Sequence, residues 1–361
     1  NADFKAYDFD TLRTAMIEYI RTNYPEDFND WIQSSEFVAL IDLVAFLGQN
    51  LGFRIDLNSR ENFIDTAERK ENVLRLARFL SYNPKRNVSA QGLLQIKSIK
   101  TTENVLDSTG SNLANVPLQW AGVNDPDSFE KFITVLNSVF GTNHPFGTPV
   151  KAGTVGGVTS QLYSLNTIPD QQVAVSYSAS VASKTSNFEI CNPTFADLGY
   201  YEEQTPDPFS QWNLLYRNDG AGNTSANTGF FVVFKQGQMN KNDYQLNDYI
   251  ENRVIDIDIE MINEQDVYVQ TINEDGSVVN NWKNVPNLVG NNIIYNSFAS
   301  GDRKICSVIT RDNDKISVKF GDGYFSQVPR GIIRVWTRSS NGETYTIRPE
   351  DMKNITWDFA Y

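Results

Sequence analysis

The sequence is poor in the residues from which most active sites are built. Its 361 residues include one histidine and two cysteines. Cys191 and Cys306 lie far apart and form no C-x-x-C pair, which excludes a disulfide framework and a thiolate zinc site. One bridge between them and two free buried thiols are both open, and the free thiols are expected, in keeping with assembly in a reducing cytoplasm. A Ser-His-Asp or Cys-His mechanism would have to use His144, which sits in Thr142-Asn143-His144-Pro145 with no nucleophile motif around it and reads as an ordinary loop histidine. Gly153, Gly156 and Gly157 form G-T-V-G-G, but no Lys-Ser/Thr follows, so a turn between strands is expected rather than a phosphate loop. No D-x-D-x-D-G calcium loop occurs, and Asp312 and Asp314 read as a hairpin end. The expectation is no catalytic residue, no cofactor and no metal.

Positive charge is also scarce. Lys and Arg number 31 against 44 Asp and Glu, a net charge of −13, which phosphate backbones repel. The runs Arg69-Lys70 and Lys85-Arg86 are too short to make a basic patch, so no nucleic-acid partner is expected. The best apolar run, Phe37 to Leu47, is short and contains Asp42, whereas a bilayer needs about 20 residues. No membrane insertion is expected. The N-terminus lacks the layout of a signal peptide, and with no Met at position 1 the chain is expected to be part of a longer one.

What is present suits a folded protein. Apolar residues make up 40%, with 22 Phe and 16 Tyr, which supplies cores for two or three domains and argues against disorder. Asp10 can cap a first helix carrying Leu12, Ala15, Met16, Tyr19 and Ile20, ended by Pro25. Ser34 or Ser35 can cap a second, whose Phe37, Val38, Leu40, Ile41, Val44, Phe46 and Leu47 lie almost all round and call for enclosure. Asn58 or Ser59 opens a third, with Phe63, Ile64, Ala67, Leu74, Ala77 and Leu80 on one face and Asn83-Pro84 at its end. Two readings stand side by side: a self-contained bundle, or one completed by another subunit through Phe37, Leu40, Ile41, Val44 and Leu47.

After Pro84 the pattern changes to strands. Gly92 to Ile99 reads as one. The stretch from Thr101 to Pro206 is rich in Ser, Thr, Asn and Gly, with one helix over Phe129 to Phe140 capped by Asp127 or Ser128. From Gly229 the strands are clear. Phe230 to Phe234 is continuously apolar, and Arg253 to Ile262 alternates with Asp256, Asp258 and Glu260 on one face. Val267 to Ile272 and Val278 to Trp282 flank the hairpin signature Asp275-Gly276. Ile293 to Phe298, Lys304 to Thr310, Lys315 to Phe320, Gly331 to Thr337 and Glu343 to Ile347 continue the meander, with a turn at Asn341-Gly342. The fold class is α+β: an N-terminal α-helical bundle arm (1–86), a mixed, loop-rich β region (87–228) and an antiparallel β domain (229–361).

The most distinctive segment is KISVKFGDGYFSQVPRGIIRVWTRSSNG, Lys315 to Gly342. It is a strand, a Gly-Asp-Gly turn, a short excursion to Pro329-Arg330-Gly331 and an outgoing strand. Phe320, Gly321, Asp322, Gly323, Pro329 and Gly331 resemble the strand–FGDG–P-x-G–strand element of the baseplate J-like family of contractile phage tails. Pro149 to Thr154 followed by Tyr163 is similar to that family's G-T strand. Leu76 to Ile99 (LARFLSYNPKRNVSAQGLLQIKSI) is similar to the helix-to-strand junction of the T-even-type wedge subunits, the gene product six type. The resemblance implies a structural subunit of a baseplate wedge in the virion, assembled in the host cytoplasm. It implies other wedge proteins and a second copy of the chain as partners of the N-terminal helices, a role in rearrangement on contraction, and a further C-terminal portion beyond Tyr361. The region from Thr101 to Pro206 departs from the family.

Two rival functions fit less of the sequence. A tail-associated carbohydrate-binding or glycosidase-like module would use paired carboxylates beside exposed aromatics. Asp256, Asp258 and Glu260 are more simply a solvated face, and Glu202, Glu203 and Asp207 sit in a Pro-rich loop. A host-facing adhesin would call for fibre repeats, which the sequence lacks.

Overall fold

Helix α1 (Phe9–Asn23) begins where the Asp8 carboxylate accepts the Thr11 N–H at 2.8 Å, satisfying an otherwise orphaned donor. The cap is therefore Asp8 and not Asp10, which lies in the first turn, where its charge suits the helix dipole. Helix α2 (Ser35–Glu61) runs straight through Asn58 and Ser59, where a new helix was expected. It ends at Glu61, whose carboxylate reaches forward across the turn that follows. That group accepts the backbone N–H groups of Glu68 and Arg69 and the Asn72 amide at 2.7 Å, and so caps α3 (Lys70–Phe79). Phe63, Ile64 and Ala67 fall in the intervening turn, and α3 buries Leu74 and Ala77.

The structure is a computed structural model. It describes residues 8–24, 35–80, 82–106, 112–120, 149–164, 173–181, 183–195, 200–222, 224–286, 288, 304–324, 326–342, 346–352 and 355–356. Pro25, the expected helix Phe129–Phe140, His144 and the expected strand Ile293–Phe298 lie outside these residues.

The chain divides into two compact units, Asn1–Pro84 and Lys85–Tyr361. The second opens with β1 (Gln91–Gln95), shorter than the expected strand, and the ladder β2 (Ile99–Leu106) with β3 (Asn112–Trp120). Then come β4 (Lys151–Val155), β5 (Val158–Ser164), β6 (Ala174–Val181), β7 (Lys184–Cys191), the short pair β8 (Pro193–Phe195) and β9 (Tyr201–Glu203), β10 (Asn213–Asn218) and β11 (Gly229–Gln236). Beyond Gly237 lie β12 (Gln238–Leu246), β13 (Val254–Ile257), β14 (Ile262–Ile272), β15 (Val278–Asn284), β16 (Ile305–Thr310), β17 (Ile316–Phe320) and β18 (Gly331–Ser339). The fold is α+β, a helical N-terminal arm followed by a multi-strand body.

Among the described residues the body holds two seven-stranded sheets. The first has the order β4-β5-β10-β11-β7-β6, with β1 also on β11. The second has the order β12-β18-β14-β15-β16-β17-β13. A domain boundary at 228 is ruled out by β11. Every residue of that strand is buried, and it pairs with β1, β7 and β10 inside the first sheet. The sheet change falls at Gly237 instead. The first boundary moves from 86 to 84 because Arg86 belongs to the body, where its buried guanidinium donates to the Ile262 and Glu264 carbonyls and to Thr310 Oγ1.

Each sheet has its own apolar core. Leu162, Phe195, Leu215 and Phe231 pack on one face of the first sheet, and Val181, Phe188, Phe234 and Met352 on the other. Ile257, Ile262, Val308, Ile316, Val318, Phe320, Ile333 and Val335 core the second. The Gly156-Gly157 turn joins β4 to β5 with both glycines at positive φ, the strand connection the sequence implied. Asp275-Gly276 closes the β14–β15 hairpin as expected. The expected strand Arg253–Ile262 breaks in two. Met261 adopts φ +54 and donates its N–H to Asn313 O, which turns the chain before Ile262 starts β14. One ladder, β15 with β16, is parallel and departs from the all-antiparallel expectation. Residues 346 and 347 of the expected strand Glu343–Ile347 are described and lie outside any strand.

Candidate functional site

Two features stand out, an apolar seam on the arm and the turn at Phe320-Gly321-Asp322-Gly323. The seam follows from how α1 covers α2. Ile41 (4% exposed) and Ala45 (1%) are buried, Gly48 leaves room for Leu12, and Arg13 Nε pairs with the Asp42 carboxylate at 2.6 Å. Ile41 is therefore core of the arm itself and is unavailable to a partner, a correction to its expected role. On another face Phe37, Leu40, Val44, Leu47 and Leu51 recur at intervals of three, four, three and four. That is the spacing of a knobs-into-holes seam, and Leu40 (58% exposed), Leu47 (51%) and Leu51 (60%) stand open. Leu43, Phe46, Phe53 and Ile55 widen the apolar surface.

Helix α2 is also longer than the apolar run Phe37–Leu47. By length and composition alone, Glu36–Glu61 is apolar enough to cross a membrane, which corrects the expectation that no such segment exists. The same composition suits a helix enclosed by other helices. The Arg13–Asp42 pair places two charges against its apolar part, which a bilayer interior disfavours.

The FGDG element is built from contacts that admit no larger residue. Phe320 is fully buried, with its ring edge-on to Trp282 at a centroid distance of 5.0 Å. A Cβ on Gly321 would stand 1.2 Å from Ser326 Oγ. Asp322 Oδ1 accepts the Tyr324 N–H, and Gly323, at φ +83, donates its N–H to Ser326 O. Asn252 donates its N–H to Gly321 O, tying the turn to the segment before β13. Pro329 is buried, Gly331 (φ +83) opens β18, and the Arg330 guanidinium lies 5.0 Å over the Tyr249 ring. These side chains and backbone groups hold a shape, and none is placed as an acid, base or nucleophile.

The carboxylates are engaged in ion pairs and turns. Asp256, Asp258 and Glu260 are exposed and face Arg311 and Lys315 at 3.2 to 3.8 Å. A cleft of about 540 Å³ contains Glu189 and Asp275 beside Phe209 and Trp336. Glu189 accepts from Arg338 Nε and the Met239 N–H, and Asp275 accepts from Ser277. The Ser277 hydrogen bonds hold Asp275 below the usual carboxylate range, the opposite of what a glycosidase acid requires. No group of three His, Cys, Asp or Glu among the described residues could hold a metal ion.

Sequence reasoning missed a buried charge network. Arg338 pairs with Glu189 at 2.9 Å, Glu203 at 2.7 Å and Asp266 at 3.6 Å, and Lys235 pairs with Glu203 at 3.0 Å and Asp266 at 2.6 Å. All five side chains are under a tenth exposed. Burial alone would raise the Glu203 pKa, but the charges and hydrogen bonds of Arg338 and Lys235 outweigh it and hold the group at about 2. Burial pushes the Cys191 and Cys306 thiols up, the latter to about 12, so both are inert. The signal was a lysine inside the apolar run Gly229–Gln236 and an arginine ending Val335-Trp336-Thr337-Arg338.

A comparison with curated proteins returned no match. The family model described as Domain of unknown function (DUF8360) matches residues 92–361, from within β1 onward and well over half of the chain, and the chain belongs to that family.

Proposed function

We propose that this chain is a structural subunit of a contractile bacteriophage tail baseplate wedge, without catalytic activity. It joins wedge partners into the ring around the hub and takes part in the rearrangement on contraction. The observation that carries this reading is the open seam Leu40-Val44-Leu47-Leu51, a surface suited to helices supplied by other subunits. The FGDG-to-Pro329-Gly331 geometry supports it, because the residues shared with the baseplate J-like pattern are the ones that shape the turn. The partners are then other wedge proteins and a second copy of the chain, and the location is the virion.

Mass spectrometry and electron cryomicroscopy of virions that carry the chain test this directly. Density for the chain in the baseplate, with α2 inside a helical bundle, is expected. Its absence from the baseplate, or turnover of peptidoglycan by the purified chain, overturns the reading. At the residue level, Leu40→Glu with Leu47→Glu is expected to end co-purification with the partner helices. Each buried leucine contributes ~2 kcal/mol, so losing both weakens association about 1000-fold. Unchanged co-purification would show that the seam is not the contact.

A further inference from the structure

The two sheets of the body meet through a face unlike either core. Along β18, Ile333 and Val335 enter the core of the second sheet, so Arg334, Trp336 and Arg338 point the other way. Along β14, Val267 and Val269 do the same, which leaves Asp266, Tyr268 and Gln270 on the opposite face. This face meets the first sheet and its β8–β9 flap. Arg338 reaches Glu189 on β7 and Glu203 on β9, and Asp266 takes Lys235 of β11. Tyr268 donates to Glu203 and Gln270 to the Pro206 carbonyl. The apolar clusters described above each lie with one sheet and none bridges the two.

The chain crosses between the sheets at three places. Ahead of β1, Arg86 and Ser89 bond to Ile262, Glu264 and Asp266, and beyond β18 Met352 packs in the core of the first sheet. From β11 to β12 the chain passes through Gly237 alone, at φ +114, where a Cβ would stand 2.5 Å from Ser339 O. Beside it the sheets do not close on one another. The cleft of about 540 Å³ is lined by Ala174, Ser176 and Glu189 from the first sheet and by Gln238, Lys241 and Trp336 from the second.

We infer that this seam is a releasable joint: two separately cored β lobes are clipped together by the five-membered ion network and pivot at Gly237. The network holds two cations and three carboxylates, and Ser89, Asn263 and the Met239 N–H donate to the carboxylates as well. Such a network holds tightly while complete, and loss of one member leaves buried charge unmatched. Parting the lobes at this face returns these groups to water, and with Met352 kept on the first sheet it exposes neither core, so opening forfeits little of the apolar burial that stabilises each lobe. The joint is a property of the fold and holds for any function of the chain.

The test is Arg338→Gln in the full chain, read by calorimetry and amide hydrogen exchange. Two separate unfolding transitions are expected in place of one. The joint amides of Gly237 and Met239 should exchange at least about 100-fold faster while Val233, Val308 and Val318 stay protected. Faster exchange spreading equally into both cores, or unchanged exchange at Gly237 and Met239, overturns the joint. If the variant does not fold, exchange of the wild type in low urea decides. Gly237 and Met239 should open about 100-fold more often than the cores, and a shared opening rate for joint and cores overturns it.

Discussion

Acidification is expected to remove about 2 kcal/mol of stability between pH 7 and pH 3, and about 3 kcal/mol by pH 2, through Glu203 alone. The sign follows from the direction of its shift. The folded-state value is about 2 and the ordinary value 4.5, so the unfolded chain takes up the proton first as pH falls. The stabilisation is complete above pH 4.5 and disappears towards pH 2. Asp243, held below its usual range by its hydrogen bonds and ion pair with Arg334, acts in the same direction. Urea midpoints followed by tryptophan fluorescence across this pH range measure the effect. The control is Glu203→Gln, which is less stable at pH 7 because Arg338 and Lys235 lose a charged partner. Its deficit should shrink as pH falls, because the wild type is then losing the same charge. An equal deficit at pH 7 and pH 3 would show that Glu203 is not the group responsible.

How much of this was legible in the sequence depended on how local the cause was. The helical arm, the apolar strand at Phe230–Phe234 and the Asp275-Gly276 hairpin follow from periodicity and turn chemistry within a few residues. The start of α3 did not, because Glu61 caps it from seven to eleven positions behind, and no window over Asn58-Ser59 contains that information. The break after Ile257 was hidden for the same reason. The alternation of apolar and acidic residues continues unbroken to Met261, while the turn is fixed by the distant Asn313 carbonyl. The arm seam was legible except at Ile41. An all-round apolar helix does not reveal which stripe its own neighbour will take, and here α1 took the stripe containing Ile41 and Ala45. The charge network was the hardest to find. Glu189, Glu203, Lys235, Asp266 and Arg338 come from five strands, and only the sheet pairings bring them together.

Gly321→Ala is expected to destabilise the body by about 3 kcal/mol, near the upper end of what overpacking a buried site costs. The added methyl would sit 1.2 Å from Ser326 Oγ and 2.5 Å from Ser326 Cβ, and Ser326 is itself buried. Neither atom has room to move, because Gly323 N–H to Ser326 O and Asn252 N–H to Gly321 O fix both sides of the turn. The next neighbour, Ser326 Cα, lies at an ordinary 3.4 Å. The clash is thus with one side chain, and Gly321 carries no positive φ that would penalise alanine. Adding Ser326→Gly should recover most of the loss, with a coupling of about 2 kcal/mol in a double-mutant cycle. Gly323→Ala makes the contrasting case. Its methyl would stand 2.2 Å from the Tyr249 hydroxyl, and Tyr249→Phe removes that atom, but the backbone at φ +83 still costs an L-residue about 1–2 kcal/mol. Rescue is therefore expected at position 321 and only in part at 323. Denaturation midpoints of the six variants check this, and equal rescue at both sites, or none at 321, would show that the turn is fixed by something other than these two contacts.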